Sequence, residues 1–484
     1  MALLAIDQGT TGTTCLVVDD ELRPLGRSYR EIRQWYPQPG WVEHDPDDLW
    51  QSVLDAAQRA LAAAGVSAAD LSAIGITNQR ETTVLWERRT GTPVGRAIVW
   101  QDRRTAARCR ELPADLVRAK TGLVCDPYFS ATKLEWLLAE SELPQRELAF
   151  GTVDSWLVWK LTGGRVHATD ETNASRTMLL DIAGREWDDQ LLDLFHVDRE
   201  LLPRIAASGE VVGETDLLGA TVPIAGIAGD QQAALFGQAC FEPGEAKATY
   251  GTGSFVLVNV GGSPAPPPEG LLKTVAARLA GQPQVFALEG AVLVAGAALQ
   301  WLRDGLGVLG DAADSEAVAR SVESTDGVVF VPALTGLGSP YWAPDARGLV
   351  SGLTRGTTRA HLVRAALEAI ALQVADVVAA VPGGVRLLRA DGGAAANGFL
   401  MQLQADLLGA PVEVSADVEA TALGAAALAG LAVGAWRGTD EVVPLLRRGG
   451  RRYEPAGDST QLGALREAWQ LAVRRATLHW ATPS

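Results

Sequence analysis

Apolar residues are spaced along this chain in two patterns, one typical of strands and the other typical of helices. Short apolar runs of strand length occur at residues 3–6, 16–18, 71–76, 97–100 and 222–227. An apolar stripe with helical spacing runs through residues 47–64, directly after the helix start signal Asp45-Pro46. Further helices are predicted at residues 294–303, 358–381, 397–408 and 462–476. Strands and helices mixed in this way predict an α/β architecture.

Two stretches rich in glycine and threonine lie between strand-like runs. The first reads Asp-Gln-Gly-Thr-Thr-Gly-Thr-Thr at residues 7–14, and the second reads Tyr-Gly-Thr-Gly-Ser at residues 250–254. Both are predicted to be β-hairpins of the phosphate-binding type, because glycine leaves room for a close approach and the tip offers N–H groups and hydroxyls. Asp7, at the end of the first strand, is a candidate ligand for hydrated Mg²⁺. An ordinary surface hairpin is the alternative for the first stretch.

The repetition of the hairpin bears on the domain organisation. A chain of 484 residues is too long for a single hydrophobic core. We therefore predict two similar halves that face one nucleotide, with a boundary near residues 232–240. One domain then spans residues 1–235 and the other spans residues 236–484. The repeated segment is short, so it is weak evidence for duplication when taken alone.

Composition limits the partners and the location. A net charge of -16 argues against nucleic acid or an anionic membrane as the main partner. The four cysteines are too widely spaced for a structural zinc site or a disulfide framework, which fits the reducing cytoplasm. The most apolar stretch, residues 420–435, is shorter than the roughly 20 residues of a membrane span. We expect it to be a buried helix, in a cytoplasmic protein without membrane insertion.

Polar residues follow two of the predicted strands, where open α/β sheets place ligand contacts. Arg80 and Glu81 follow the strand at residues 71–76, and the two can bind neighbouring hydroxyls of a neutral polyol. A surface salt bridge is the favoured alternative for this pair alone. Asp230 follows the strand at residues 222–227 and is a candidate general base for phosphoryl transfer. It is also well suited to cap a helix, and both roles are compatible.

A third polar stretch, Asp-Gly-Gly-Ala-Ala-Ala-Asn at residues 391–397, is a glycine-rich turn that enters a helix. Such a turn allows the backbone to approach a nucleotide closely. A plain connection between a strand and a helix is an equally good interpretation.

Several of these stretches together resemble the FGGY carbohydrate kinases, and within that family the members that act on glycerol. The matching motifs occur in the family order between residue 3 and about residue 436, at residues 5–11, 36–45, 75–83, 126–133, 226–236 and 336–342. The resemblance implies a two-domain actin-like (ribonuclease H-like) ATPase fold with the active site in the interdomain cleft. It also implies ATP-dependent phosphorylation of glycerol to sn-glycerol 3-phosphate, with Mg²⁺ as cofactor.

The resemblance further implies roles for individual residues, with Asp230 as the general base and Asp7 near Mg²⁺. The glycerol pocket would consist of Arg80, Glu81, Trp100, Tyr128, Asp230, Gln231 and Phe255. The nucleotide would contact Thr10, Thr11, Gly12, Thr252, Gly296, Gln300, Gly393 and Asn397. A homo-oligomer, dimer or tetramer, is expected because members of the family often self-associate.

The chain departs from the family pattern at two places. Thr14 stands where the family usually has an arginine, and one lost charge-assisted hydrogen bond to a phosphate costs about 1.5–3 kcal/mol if nothing replaces it. Residues 214–223 lack both the basic loop that binds fructose 1,6-bisphosphate in some members and the histidine that others phosphorylate.

Two alternatives for the function stay open: a kinase for another small polyol or ketose, and a catalytically weak sensor of glycerol or nucleotide.

Overall fold

The predicted alternation of strands and helices is present in the computed structural model, which describes residues 1–263, 265–416 and 419–478. Within these residues the strands are β1 Ala2–Gln8, β2 Gly12–Val18, β3 Pro24–Glu31, β4 Gln34–Trp35, β5 Glu43–His44, β6 Leu71–Asn78, β7 Val84–Glu87, β8 Ala97–Ile98, β9 Leu148–Gly151, β10 Ala168–Asp170, β11 Leu180–Asp181, β12 Glu186–Trp187, β13 Arg204–Ala206, β14 Gly209–Thr215, β15 Val222–Gly229, β16 Glu245–Tyr250, β17 Ser254–Gly261, β18 Leu272–Val275, β19 Phe286–Val292, β20 Val329–Val331, β21 Leu349–Ser351, β22 Leu387–Asp391, β23 Val412–Val414 and β24 Arg451–Tyr453.

The α-helices in the same ranges include every helix predicted from the apolar pattern. They are α1 Pro46–Ala64, α2 Ala106–Cys109, α3 Ala114–Thr121, α4 Ser130–Glu140, α5 Val153–Leu161, α6 Glu171–Ala174, α7 Asp189–Leu194, α8 Asp230–Gly237, α9 Gly296–Asp304, α10 Ser315–Arg320, α11 Arg359–Ala379, α12 Gly398–Leu408, α13 Ala420–Ala432, α14 Thr439–Leu446 and α15 Ser459–Ala476. The start signal before α1 is confirmed, because the Asp45 side chain accepts a hydrogen bond from Asp47 N.

One predicted strand is shorter than expected. The apolar run at residues 97–100 forms a strand only to Ile98, because a turn follows in which Asp102 N donates to the Val99 carbonyl oxygen at 3.0 Å. The Asp102 carboxylate accepts a hydrogen bond from Val42 N and thereby holds the turn in place. Trp100 lies within this turn, at the cavity described below.

Two large sheets organise the described residues. The six strands of the first sheet, taken from β3 to β14, correspond in order to β19 through β24 of the second, and β18 is an additional edge strand of the second sheet. The first sheet runs β14-β15-β6-β1-β2-β3, and the second runs β18-β19-β17-β16-β22-β23-β24. Each contains an antiparallel meander (β1-β2-β3 and β16-β17-β19), two parallel strands (β6-β15 and β22-β23) and a final antiparallel strand. This repetition fits the two similar halves expected from the two hairpins. The boundary near residues 232–240 stays a prediction, and α8 runs across it.

Helix α13 packs against the first sheet although it comes late in the chain. Its small residues allow contact at backbone distance: a Cβ at Gly424 would lie 1.9 Å from the Ala233 carbonyl oxygen of α8. A Cβ at Gly75 of β6 would lie 2.1 Å from the Ala425 carbonyl oxygen. The expected burial of this apolar stretch is confirmed, and no helix in the described ranges has the length and hydropathy to cross a membrane. Because α8 begins with Asp230, its packing against α13 fixes the position of that residue.

The close packing of α13 predicts a large effect of one added methyl group. Gly424→Ala should lower the free energy of unfolding by about 1–3 kcal/mol, because the backbones of α8 and α13 must separate. Gly463→Ala is the matched control, since this helical glycine of α15 has no atom near its Cβ position, and it should raise the free energy of unfolding by about 0.5–1 kcal/mol. Denaturant unfolding of the two variants measures both effects. A Gly424→Ala variant as stable as the parent would contradict the packing argument.

Candidate functional site

The first hairpin brings Asp7 to the end of a buried strand. β1 and β2 pair antiparallel with Asp7 opposite Thr14, and the turn is closed by a 2.9 Å hydrogen bond from Gly9 N to the Gly12 carbonyl oxygen. The side-chain amide of Gln79, which follows β6, donates to the Gly9 carbonyl oxygen at 3.2 Å. The tip of the hairpin is therefore held beside the polar end of the neighbouring strand.

A small cavity of about 40 Å³ lies beside this hairpin. Aromatic side chains form its apolar walls: the rings of Trp100 and Tyr128 pack edge to face at 5.5 Å, and the Trp100 indole N–H donates to Thr10 Oγ1 at 2.9 Å. The structure brings all seven residues predicted for the glycerol pocket into its lining, together with Thr10: Arg80, Glu81, Trp100, Tyr128, Asp230, Gln231 and Phe255. Their contacts with a ligand stay predictions.

The Arg80–Glu81 pair is buried, so its interpretation as a surface salt bridge is wrong. Both side chains are 2% exposed, and Arg80 Nε lies 3.8 Å from Glu81 Oε1. Glu81 has a left-handed φ of +61°, which is uncommon for a residue with a side chain. Its carbonyl oxygen accepts hydrogen bonds from Ser130 Oγ and Thr83 Oγ1 that support this turn. Burial raises the pKa of the Glu81 carboxyl, although the neighbouring arginines act in the opposite direction.

Two ionised residues that sequence reasoning missed complete this charged cluster. Glu289, in the middle of β19, accepts hydrogen bonds from Arg80 at 2.6 and 3.0 Å and from Arg176 at 2.9 Å. Arg176 Nε also donates to Glu81 Oε1 at 2.7 Å. Burial raises the pKa of Glu289, but the two arginines outweigh that effect and hold the pKa at about 2. A single acidic residue within the otherwise apolar run 286–292 is the sequence signal that could have identified Glu289.

Asp230 lies where β15 ends at the cavity. It is the first residue of α8, and the N-cap is Gly229, so the prediction that Asp230 caps this helix is wrong. The reason is that the extended backbone of β15 continues to Gly229 before the helix begins. The Asp230 carboxylate instead accepts a hydrogen bond from Gln231 N and lies 3.2 Å from Arg80 Nε. With its side chain 32% exposed, this carboxylate is accessible from the cavity.

Lys247 is a third residue that sequence reasoning missed. From β16 of the second sheet, its Nζ donates to Gln231 Oε1 and, at 3.1 Å, to Thr249 Oγ1. Burial lowers the pKa of Lys247 to about 8, although the carboxylates of Asp391 and Asp230 act in the opposite direction. The ammonium group therefore connects a residue of the cavity wall to the second sheet.

Asp7 is the candidate Mg²⁺ ligand. Burial raises the pKa of its carboxyl to about 8, and the negative charges of Asp230 and Glu419 add to this effect. Among the residues that the structure describes, no group of three or more histidines, cysteines and carboxylates is arranged to hold a metal unaided. Mg²⁺ at phosphoryl-transfer sites is usually held by one or two carboxylates, phosphate oxygens and water. The carboxylates near Asp7 therefore fit an Mg²⁺ ion that arrives with a nucleotide.

A larger cavity of about 510 Å³ lies at the second hairpin, and its volume is typical of small-molecule sites. The turn after β22 needs glycine at residue 392, where φ is +87° and a Cβ would lie 2.6 Å from the Tyr250 carbonyl oxygen. The Asn397 side chain caps α12 by accepting a hydrogen bond from Leu400 N. Five of the eight residues predicted to contact the nucleotide line this cavity: Thr252, Gly296, Gln300, Gly393 and Asn397.

The other three predicted nucleotide residues lie at the first hairpin, outside the lining of the larger cavity. Thr10 lines the smaller cavity, and Thr11 is exposed at the hairpin tip. Gly12 is buried beside Tyr29, where a Cβ would lie 2.5 Å from the tyrosine ring. The structure thus divides the predicted nucleotide residues between two places.

Thr14 is buried opposite Asp7, and the neighbouring strand β3 places Tyr29 opposite Thr14. Arg27 lies two residues along β3, on the same face of the sheet. Its Nε donates to Glu419 Oε1 at 2.7 Å. This guanidinium is already paired with a carboxylate. Arg27 is therefore not free to replace the arginine that the family usually has at residue 14.

Comparison with known proteins identifies relatives over nearly the whole chain. A glycerol kinase from Leptothrix cholodnii is 56% identical over 492 residues, which covers 98% of this chain and 99% of the relative. A glycerol kinase from Bordetella parapertussis is 54% identical over 500 residues, which covers 100% and 98%. The crystal structure of Plasmodium falciparum glycerol kinase with ADP matches this structure with a TM-score of 0.93 at 34% identity, covering 99% of each chain.

Models of the FGGY family of carbohydrate kinases match both halves of the sequence. The N-terminal domain model matches residues 2–237, and the C-terminal domain model matches residues 246–433. The expected two-domain actin-like (ribonuclease H-like) fold is confirmed by these matches and by the similarity to the Plasmodium falciparum structure. On this basis the chain belongs to the FGGY family of carbohydrate kinases.

Proposed function

We propose that this chain phosphorylates glycerol with ATP, giving sn-glycerol 3-phosphate and ADP. The observation that carries the proposal is the small cavity, in which the Asp230 carboxylate faces Arg80 and Glu81 between aromatic walls. Glycerol kinases that are 50–56% identical over nearly the whole chain support the same assignment. No basic surface or membrane is needed for such a substrate, which agrees with the net charge of -16.

The polarity of the cavity suits a three-carbon triol. The cavity is small, about 40 Å³, and charged and aromatic side chains line it. Arg80 supplies its Nε–H donor and Glu81 an acceptor for hydroxyls, while Trp100 and Phe255 offer apolar surface to the CH groups. A pocket built in this way rejects analogues that lack a hydroxyl, because its buried polar groups would then have no partner.

Asp230 acts as the general base in this proposal. Its carboxylate accepts the proton of the attacking glycerol hydroxyl as that oxygen attacks the γ-phosphorus of ATP in line with the leaving ADP oxygen. Its position at the start of α8, 3.2 Å from Arg80 Nε, keeps the base beside the bound hydroxyls. Most of the rate enhancement then comes from positioning and electrostatics.

The nucleotide binds in the larger cavity, and its phosphates extend toward the two hairpins. Thr252 and Gly393 contact the nucleotide from the second sheet, and Thr10, Thr11 and Gly12 contribute hydroxyl and backbone donors from the first hairpin. Mg²⁺ bound near Asp7 would neutralise phosphate charge and orient the transferring group.

The cellular setting follows from the chemistry. We assign the reaction to the cytoplasm, where ATP is available and where the four free cysteines of this chain stay reduced. Self-association into a dimer or tetramer is part of the proposal and rests on the family resemblance alone.

A substrate panel tests the proposed reaction. With Mg·ATP, we expect ADP release that depends on glycerol, with sn-glycerol 3-phosphate as the product. Erythritol, xylulose and dihydroxyacetone should support much lower kcat/KM values, and the reaction without acceptor should be at background. A coupled ADP-release assay with product identification by NMR measures this. Faster turnover with a ketose than with glycerol would contradict the assignment.

Replacing the proposed base separates chemistry from binding. Asp230→Asn should lower kcat by roughly 10²–10⁴-fold, because the amide does not accept the hydroxyl proton. Glycerol binding measured by calorimetry should be retained within about tenfold. Asp189→Asn is the matched control, since Asp189 is also the first residue of a helix but is exposed, and its kcat should be unchanged. An Asp230→Asn enzyme with normal turnover would remove Asp230 from this role.

Restoring the arginine at residue 14 tests the departure from the family. Thr14→Arg should lower the KM for ATP by roughly 10–100-fold, since one charge-assisted hydrogen bond contributes about 1.5–3 kcal/mol. The KM for glycerol should change less than twofold. Thr14→Met is the control, because it adds a long side chain without charge and should not lower the KM for ATP. An equal effect of arginine and methionine would contradict the electrostatic explanation.

A further inference from the structure

The Arg80 guanidinium presents two different edges to its surroundings. Its two Nη groups donate to Glu289 at 2.6 and 3.0 Å, to Gln232 Oε1 at 3.3 Å and to the Tyr128 hydroxyl at 3.2 Å. The Nε edge lies between the carboxylates of Asp230 at 3.2 Å and Glu81 at 3.8 Å. The Nη edge is therefore occupied by protein groups, and the Nε edge is the one beside the two carboxylates that line the cavity.

Glu289 reaches this guanidinium from the opposite sheet. It lies on β19, in the middle of the second sheet, whereas Arg80 follows β6 of the first sheet. Glu289 has no exposed side-chain surface and lies outside the lining of the small cavity, so it acts on a ligand only through its partners. The two-pronged contact with Arg80 fixes the plane of the guanidinium as well as its position.

Arg176 extends the arrangement to the second hydroxyl-binding residue. Its Nε donates to Glu81 Oε1 at 2.7 Å, and its Nη2 donates to Glu289 Oε1 at 2.9 Å. Arg176 also lies over the rings of Tyr128 and Phe129, at 5.5 and 5.1 Å from the ring centroids. One carboxylate of the second sheet thus orients both Arg80 directly and Glu81 through Arg176.

We propose that Glu289 is a positioning residue for glycerol, acting from the second sheet to hold Arg80 and, through Arg176, Glu81 in the orientation that binds the triol. The inference rests on the proposed function and deepens it. Because Glu289 lies on β19 of the second sheet, whereas Arg80 follows β6 of the first sheet and Arg176 follows α6, the glycerol pocket has its binding geometry only when these parts of the two halves are together. Glycerol affinity thereby depends on a residue that the ligand does not touch.

Glu289→Gln tests the proposal because it keeps the size of the side chain and removes its charge. The amide retains one acceptor and loses the second contact to an arginine, so Arg80 is no longer held at both Nη groups. We expect the KM for glycerol to rise about 10–100-fold and the KM for ATP to change less than twofold. Glu289→Asp keeps the charge on a shorter side chain and should give an intermediate KM for glycerol. Initial rates of ADP release over a matrix of both substrates measure these constants.

Glu368→Gln is the matched control for loss of a buried carboxylate. Glu368 is buried in α11 of the second half, is paired with Arg364 at 3.0 Å and lines neither cavity. This variant should leave the KM for glycerol unchanged even if it lowers the melting temperature. A merely structural role of Glu289 would make the two variants behave alike.

The outcomes separate this inference from the proposed function. A selective rise in the KM for glycerol in Glu289→Gln supports it, whereas an unchanged KM, or an equal rise for both substrates, overturns it. If Glu289→Gln does not fold, the same comparison is made with Glu289→Asp, and a normal KM for glycerol there overturns the inference.

If the parent enzyme does not phosphorylate glycerol, the proposed function fails. Calorimetric titration of the parent and of Glu289→Gln with glycerol then decides the positioning role separately. Weaker binding by Glu289→Gln than by the parent supports the role, whereas equal binding by the two proteins, or no binding by the parent, overturns it.

Discussion

The site depends on one constraint: ionised side chains buried between the two sheets must find partners there. Transferring an ionised group into the interior costs several kcal/mol unless opposite charges and hydrogen bonds compensate. Arg80 and Arg176 are compensated by Glu81 and by Glu289, and the last of these comes from the other sheet. Because the pKa of Glu289 is lowered, its contribution to stability is complete above the ordinary pKa of 4.5. It is lost as the pH falls toward about 2.

Close backbone packing supplies the second requirement, a fixed position for Asp230, the proposed base. Helix α8 begins at Asp230, and α13 approaches it so closely that Gly424 has no room for a methyl group. Gly75 allows the same helix to contact β6, the strand that leads to Arg80. Because the residues of α13 are small, this one helix packs closely against both β6 and α8, the helix that follows β15. Gly424, nearly two hundred positions away in the sequence, thus helps to fix where Asp230 lies.

The local parts of this arrangement were predictable from the sequence, and the long-range parts were not. The hairpin at Asp7 and the helix after Asp45 follow from local patterns of polarity and turn residues. The resemblance to a known family gave the residues that line the small cavity. Glu289 and Arg176 were missed because their partners are distant in sequence; the apolar run around Glu289 indicated that this residue is buried, but no local pattern identified the arginines that pair with it. The helix start at Asp230 was misplaced by one residue because the strand β15 extends further than its apolar run.

The repeated topology explains how one chain can bind two chemically different ligands. The parallel strands β6 and β22 occupy equivalent places in their sheets, but different residues follow them. Side chains with charges, Arg80 and Glu81, follow β6, whereas Gly392 and Gly393 follow β22. A small neutral triol needs side chains that reach its hydroxyls within a cavity of about 40 Å³. A nucleotide needs open backbone in a cavity of about 510 Å³, which side chains at these positions would fill. The two sheets therefore share a strand order but differ in the residues that follow their parallel strands, which gives each strand end a different chemistry.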